Sequence, residues 1–130
     1  MSQHANAATH RRVHEAFLKG DTASVDKLLA ENVVYHVLGK SSLAGDHKGR
    51  EAVLAHLKRF VEIPGGSMRL EAWDFLGSDD HSAAVYKVEA TRPGKTLDGD
   101  LFELMRWRDG QVVEDWAFFD DQDAFDGFFA

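Results

Sequence analysis

The sequence predicts an α+β domain with helices packed on one face of a curved, mostly antiparallel sheet. Three observations predict it. The N-terminal half carries apolar residues at helical spacing, interrupted by one short strand-forming run. The C-terminal half alternates apolar and polar residues through four consecutive segments. The links between those segments are short and turn-like, whereas a parallel return needs a crossover of about a dozen residues or more. Helices followed by a meander give helices layered on one sheet face.

The elements follow in order. Gln3 to Lys19 reads as the first helix, with Val13, Ala16 and Phe17 on one face and Gly20-Asp21 ending it. "DTASVDKLLAEN" is a short second helix, capped by Asp21 or Thr22, with Val25, Leu28 and Leu29 inward. "VVYHV" is a strand. "REAVLAHLKRFVEI" is a third helix, with Val53, Leu54, Leu57, Phe60 and Val61 on one side, broken by "PGG". Strands are expected at about 67–77, 82–92, 97–108 and 111–120, separated by "GSDDH", "RPGK" and "RDG". The tail "DAFDGFF" predicts a short docking helix. No repeat or linker interrupts the chain, so residues 1–130 read as one domain.

Composition narrows the chemistry. The net charge is −7 and no Lys/Arg-rich run exists, which argues against nucleic acid and anionic membranes as partners. There is no cysteine, so disulfide and thiolate chemistry are excluded. No apolar run approaches the roughly 20 residues of a membrane span, and "MSQHANAATHRRVHEAF" lacks a signal-peptide core. A cytoplasmic domain is the expectation.

Alternation then assigns faces. Ala84, Tyr86, Val88 and Ala90 point one way, with Lys87 and Glu89 opposite. Leu101, Glu103, Met105 and Trp107 share a face, and so do Val113, Asp115, Ala117 and Phe119. Glu103 and Asp115 are thus single carboxylates in apolar rows, costly to bury unless paired or neutralised. Desolvation raises such pKa values into a range useful for proton transfer. His36, in the first strand, is a third candidate because imidazole titrates near neutrality. His10 and His14 lie four apart, but no third ligand accompanies them, so a solvated helix face is expected and no metal. The opposite row, Phe102, Leu104, Val112, Trp116 and Phe118, is too apolar for a solvated face. Its expected use is a sheet-to-sheet homodimer.

The helix-helix-strand-loop-helix order and the meander resemble the nuclear-transport-factor-2-like superfamily, in particular its SnoaL-like polyketide-cyclase branch. The segments that carry the resemblance are "GDTASVDKLLAENVVYHVLG", "SSLAGDHKGREAVLAHL", "LFELMRWRDGQVVEDW" and "FDDQDAFDGFF". It implies a cone-shaped fold of three N-terminal helices on a strongly curved sheet, with a short C-terminal helix. The chain is also similar to ketosteroid isomerases. His36, three residues before Gly39, stands where they have an aspartate base. Glu103 of "ELMRW" stands where they have a protonated aspartate, the case of a neutral oxyanion-hole acid described for that enzyme. Val13 stands where they have an oxyanion tyrosine, which speaks against steroid isomerisation. Asp115 matches the catalytic aspartate of the SnoaL-like cyclases. Limonene-type epoxide hydrolases resemble the chain less: Tyr35 matches their tyrosine, Val37 replaces their asparagine, and "KVE" only loosely follows their Arg-x-Asp.

The resulting expectation is a cofactor-independent acid–base enzyme, an isomerase, cyclase or dehydratase acting on a small hydrophobic carbonyl compound. His36 is the expected base, with Glu103 or Asp115 as acid. Phe17, Tyr35, Leu54, Tyr86, Val88, Met105, Ala117 and Phe119 are expected to hold the substrate, with Lys40 to Lys48 as a lid. Two alternatives stand beside it: a non-catalytic binding or dimerisation module, and an epoxide hydrolase with water held between Glu103 and Asp115.

Overall fold

The computed structural model describes residues 4–130. Four helices and six strands follow one another: α1 (Ala5–Leu18), α2 (Thr22–Leu28), β1 (Leu29–Val37), β2 (Gly45–Lys48), α3 (Arg50–Glu62), β3 (Arg69–Gly77), β4 (His81–Arg92), β5 (Lys95–Arg108), β6 (Gln111–Phe119) and α4 (Gln122–Phe128). The predicted first residue of α1, Gln3, lies outside the described residues. Side-chain caps set three of the helix starts. His4 accepts from the Asn6 amide, Asp21 from Ser24 and Asp121 from Ala124.

One sheet runs in the order β2-β1-β6-β5-β4-β3. The meander β3–β6 is antiparallel, and β1 lies parallel to β6. Its long strands β4 and β5, of 12 and 14 residues, bend over the helices. Register shifts between Ala72 and Asp74 and between Arg106 and Trp107 bring in the bulges that sharpen such bends.

The second bulge corrects a predicted face. Strict alternation puts Val112 outside with Trp116. The bulge instead pairs Val112 with Trp107, and Val112 is fully buried. The strand β2 was not anticipated either, because "GDHK" carries no apolar alternation. β2 pairs with β1, and this overturns the lid reading of Lys40 to Lys48. Leu43 is fully buried, and the Ser42 amide and hydroxyl both donate to the Phe129 carbonyl. A segment so pinned does not open freely. The tail docks as expected, with Phe125, Phe128 and Phe129 buried.

One glycine places α1. A Cβ on Gly77 would lie 2.7 Å from the Ala7 nitrogen, so only glycine lets α1 approach β3 this closely. From Ala7, the inward stripe of α1 continues through His10, Val13, His14 and Phe17.

Candidate functional site

The inner face of the sheet and the stripe of α1 enclose a chamber of about 50 Å³. Its walls include Val13, Phe17, Val25, Leu57, Leu101 and Met105, and its polar groups are His14, Tyr35, Tyr86, Glu103 and Asp115. Strand pairing explains why these groups meet. Tyr35 on β1 stands opposite Asp115 on β6, and Asp115 opposite Met105 on β5. Glu103 sits two residues along β5, on the same face.

Glu103 is the hub. His10 Nε2 lies 2.9 Å from Glu103 Oε1, and the Tyr86 hydroxyl donates to the same oxygen at 2.9 Å. Behind them, Trp107 Nε1–H donates to Ser82 Oγ at 2.8 Å, and Ser82 Oγ lies 2.7 Å from His10 Nδ1. Ser82 Oγ accepts from the indole, and because a carboxylate oxygen can only accept, His10 Nε2 carries a proton aimed at Glu103. Burial acts to raise the Glu103 pKa, but hydrogen bonds from His10, Asp115 and Tyr86 outweigh it and hold this carboxyl below its usual range. Asp115 behaves oppositely. Burial and the neighbouring charge of Glu103 push its pKa well up, and it donates its proton toward Glu103. The pair therefore carries one charge and one proton, as like charges at close range require.

Three polar groups around the chamber are left open. Asp115 Oδ1 is buried and has no hydrogen-bond partner among the described residues. His14 is 8% exposed, packs its ring tilted against Tyr86 with centres 4.8 Å apart, and makes no hydrogen bond within the described residues. Burial is the main cause lowering its pKa, so the ring is neutral at pH 7. The Tyr35 hydroxyl is likewise unpaired among the described residues, and burial raises its pKa. Unsatisfied polar groups in an apolar interior are rare, and they cluster where a ligand completes them.

The predicted residues divide accordingly. Glu103 and Asp115 come together, and Phe17, Tyr35, Tyr86 and Met105 line the same chamber. Leu54 lines an adjoining groove, Ala117 and Phe119 line smaller voids beside α4, and Val88 is plain core. His36 is corrected. It points to the outer face, where its nitrogens lie 2.7 Å from Asp46 and 2.9 Å from Glu114, and its ring stacks on Trp116. The strand period is the reason: Tyr35 faces in, so His36 faces out. Also corrected is the solvated reading of His10 and His14, since His10 is fully buried. Counting back three and seven residues from inward Phe17 would have placed both on the core stripe. Lys87 pairs outside with Asp98, away from the chamber.

A family model, the SnoaL-like domain, matches residues 10–115. The chain belongs to the SnoaL-like family. Among its relatives is the uncharacterized protein Rv0034 of Mycobacterium tuberculosis, 32% identical over 131 residues that span both chains completely. Among solved structures, Bal32a from a soil-derived mobile gene cassette is 36% identical, covers 96% of each chain and superposes with a TM-score of 0.90. IdmH, a putative polyketide cyclase from Streptomyces antibioticus, covers 90% of this chain and 93% of its own at 21% identity and a TM-score of 0.73. That likeness is one of fold. The SnoaL-like chain thus has the NTF2-like fold expected of it. Among the described residues, no helix is long and apolar enough to cross a membrane.

Proposed function

We propose that this SnoaL-like protein is a cofactor-independent acid–base catalyst for a small hydrophobic carbonyl compound, of the isomerase or cyclase type. The carrying observation is the buried Asp115 carboxyl, one oxygen of which has no hydrogen-bond partner among the described residues, lining the same chamber as Glu103. Sharing a fold with a putative cyclase does not carry a reaction by itself.

The roles follow from the environments. His14, held neutral by burial, takes a proton from the carbon next to the carbonyl. The Tyr35 hydroxyl donates to the enolate oxygen, and Asp115 turns its single proton from Glu103 to that oxygen as charge develops there. Glu103, fixed by His10 and Tyr86, keeps the shared proton on Asp115. His14 then returns its proton to another carbon, or the enolate attacks a second carbonyl and the alkoxide so formed takes the proton from His14. Glu103 and Asp115 keep their expected parts, while His14 replaces His36 as base.

The test is deuterium exchange into the α-carbon of simple ketones such as 2-tetralone in D2O, followed by NMR. The protein should accelerate exchange, and His14→Gln and Asp115→Asn should each lower it by about 10²–10⁴-fold. No acceleration with any ketone, in folded protein, would move the reading to a binding module.

Homodimerisation through the outer face belongs to the same proposal. Phe102 and Phe118 are 41% and 38% exposed there, beside part-buried Leu104 and Trp116. Phe118→Glu should halve the mass seen in sedimentation.

A further inference from the structure

The chamber does not stand alone. A larger groove of about 620 Å³ runs between α1–α2 and α3, within the range of small-molecule sites. Phe17, Val25 and Leu57 wall both spaces, so they adjoin at that point. The sizes differ by an order of magnitude. About 50 Å³ holds a few water molecules or the oxygen-bearing end of a ligand, not a polycycle.

The groove is apolar beyond what folding needs. Leu18 and Val61 line it while 55% and 41% exposed. Lys58 and Glu62 also border it and pair with each other at 3.7 Å, which leaves the carboxylate of Asp21 as the remaining charge on the lining, a group that disfavours an anionic ligand body. Exposed apolar side chains around a concavity mark a contact surface.

Resting on the acid–base reading of the chamber, we propose that the substrate is an end-reacting amphipathic molecule. Its carbonyl or enol oxygen reaches Asp115 past Phe17, Val25 and Leu57. Its neutral apolar body, an alkyl chain or flat ring system, lies along the groove against Leu18, Leu54 and Val61. Length and apolarity of the body set affinity, and the head sets chemistry.

A series of 4-alkylphenols, from phenol to 4-heptylphenol, tests this by titration calorimetry on the full chain. Affinity should rise with chain length, by up to about fourfold per methylene at full burial. The double variant Leu18→Glu/Val61→Glu, altering exposed positions, should flatten the rise and leave phenol itself unchanged. Asp115→Asn should weaken every member by a similar factor and leave the rise intact. A flat series in the unmodified protein, or a rise that survives the double variant, overturns the proposal. A rise lost in the double variant but indifferent to Asp115→Asn supports the groove while the acid–base reading of the chamber fails.

Discussion

The two faces of one sheet carry nearly the same ingredients with opposite results. Inside, His10 bonds Glu103, and Asp115 stands next to it. Outside, His36 lies between Asp46 and Glu114, and Arg106 adds a two-pronged contact to Glu114. The inner histidine is fully buried, whereas the His36 side chain is 22% exposed and Asp46 54%. Outside, hydrogen bonds from His36 and Arg106 lower the Glu114 pKa, and this carboxylate stays ionised. Inside, no Arg or Lys side chain bonds the pair among the described residues, and one carboxyl keeps its proton. Solvent access and the local ratio of cations to carboxylates turn identical side chains into either a surface clasp or a proton donor.

The largest expected break is in reactivity. Glu103→Gln should lower α-proton exchange by about 10²-fold or more, while Glu114→Gln should leave it within about twofold. Equal losses would erase the distinction between faces.

Stability should separate them next. His10→Ala leaves a buried carboxylate short of a partner and should cost about 3–5 kcal/mol in urea unfolding. His36→Ala removes a partly solvated clasp and should cost about 1 kcal/mol or less.

Acidity should move the two sides in opposite directions. Burial, with the charges of His47 and Arg59, lowers His56 from 6.5 to about 3. The unfolded chain then binds a proton the folded one refuses, so stability falls by about 1.4 kcal/mol per unit as pH drops below 6.5. His56→Phe should flatten that acid limb. Burial, the largest single influence, opposes a charge on His36, but the hydrogen bonds and charges of Glu114 and Asp46 together prevail and raise its pKa. Its contribution is complete below 6.5 and is lost as pH climbs through the raised value. His36→Ala should flatten the alkaline limb instead. Thermal melts across pH would read both.

The smallest effect belongs to Asp46→Asn, about 0.5 kcal/mol and shrinking with added salt.

The sequence made the architecture readable because period-two rows and short turns specify a meander strongly. Glu103 and Asp115 were readable for the same reason: a charge in an apolar row is conspicuous. His36 misled because a titratable ring in a strand announces chemistry without announcing its face. The neighbours decided it, since Tyr35 takes the inward position. His10 and His14 stayed hidden because histidine is polar enough to suggest solvent, while their spacing from Phe17 placed them in the core. The partners of His10, namely Ser82, Trp107 and Glu103, come from other strands, and no local pattern links them.

His10 and Glu103 are separated by 93 positions, and β1 finds its parallel neighbour only in β6. During synthesis the helices and the first strand leave the ribosome well before the strands that carry both carboxylates. Contacts of such long range form late and slowly. Until β6 docks, Glu103 and Asp115 are hydrated carboxylates with ordinary acidity. The nascent chain therefore carries no misplaced acid, and the act that closes the sheet is the act that creates one.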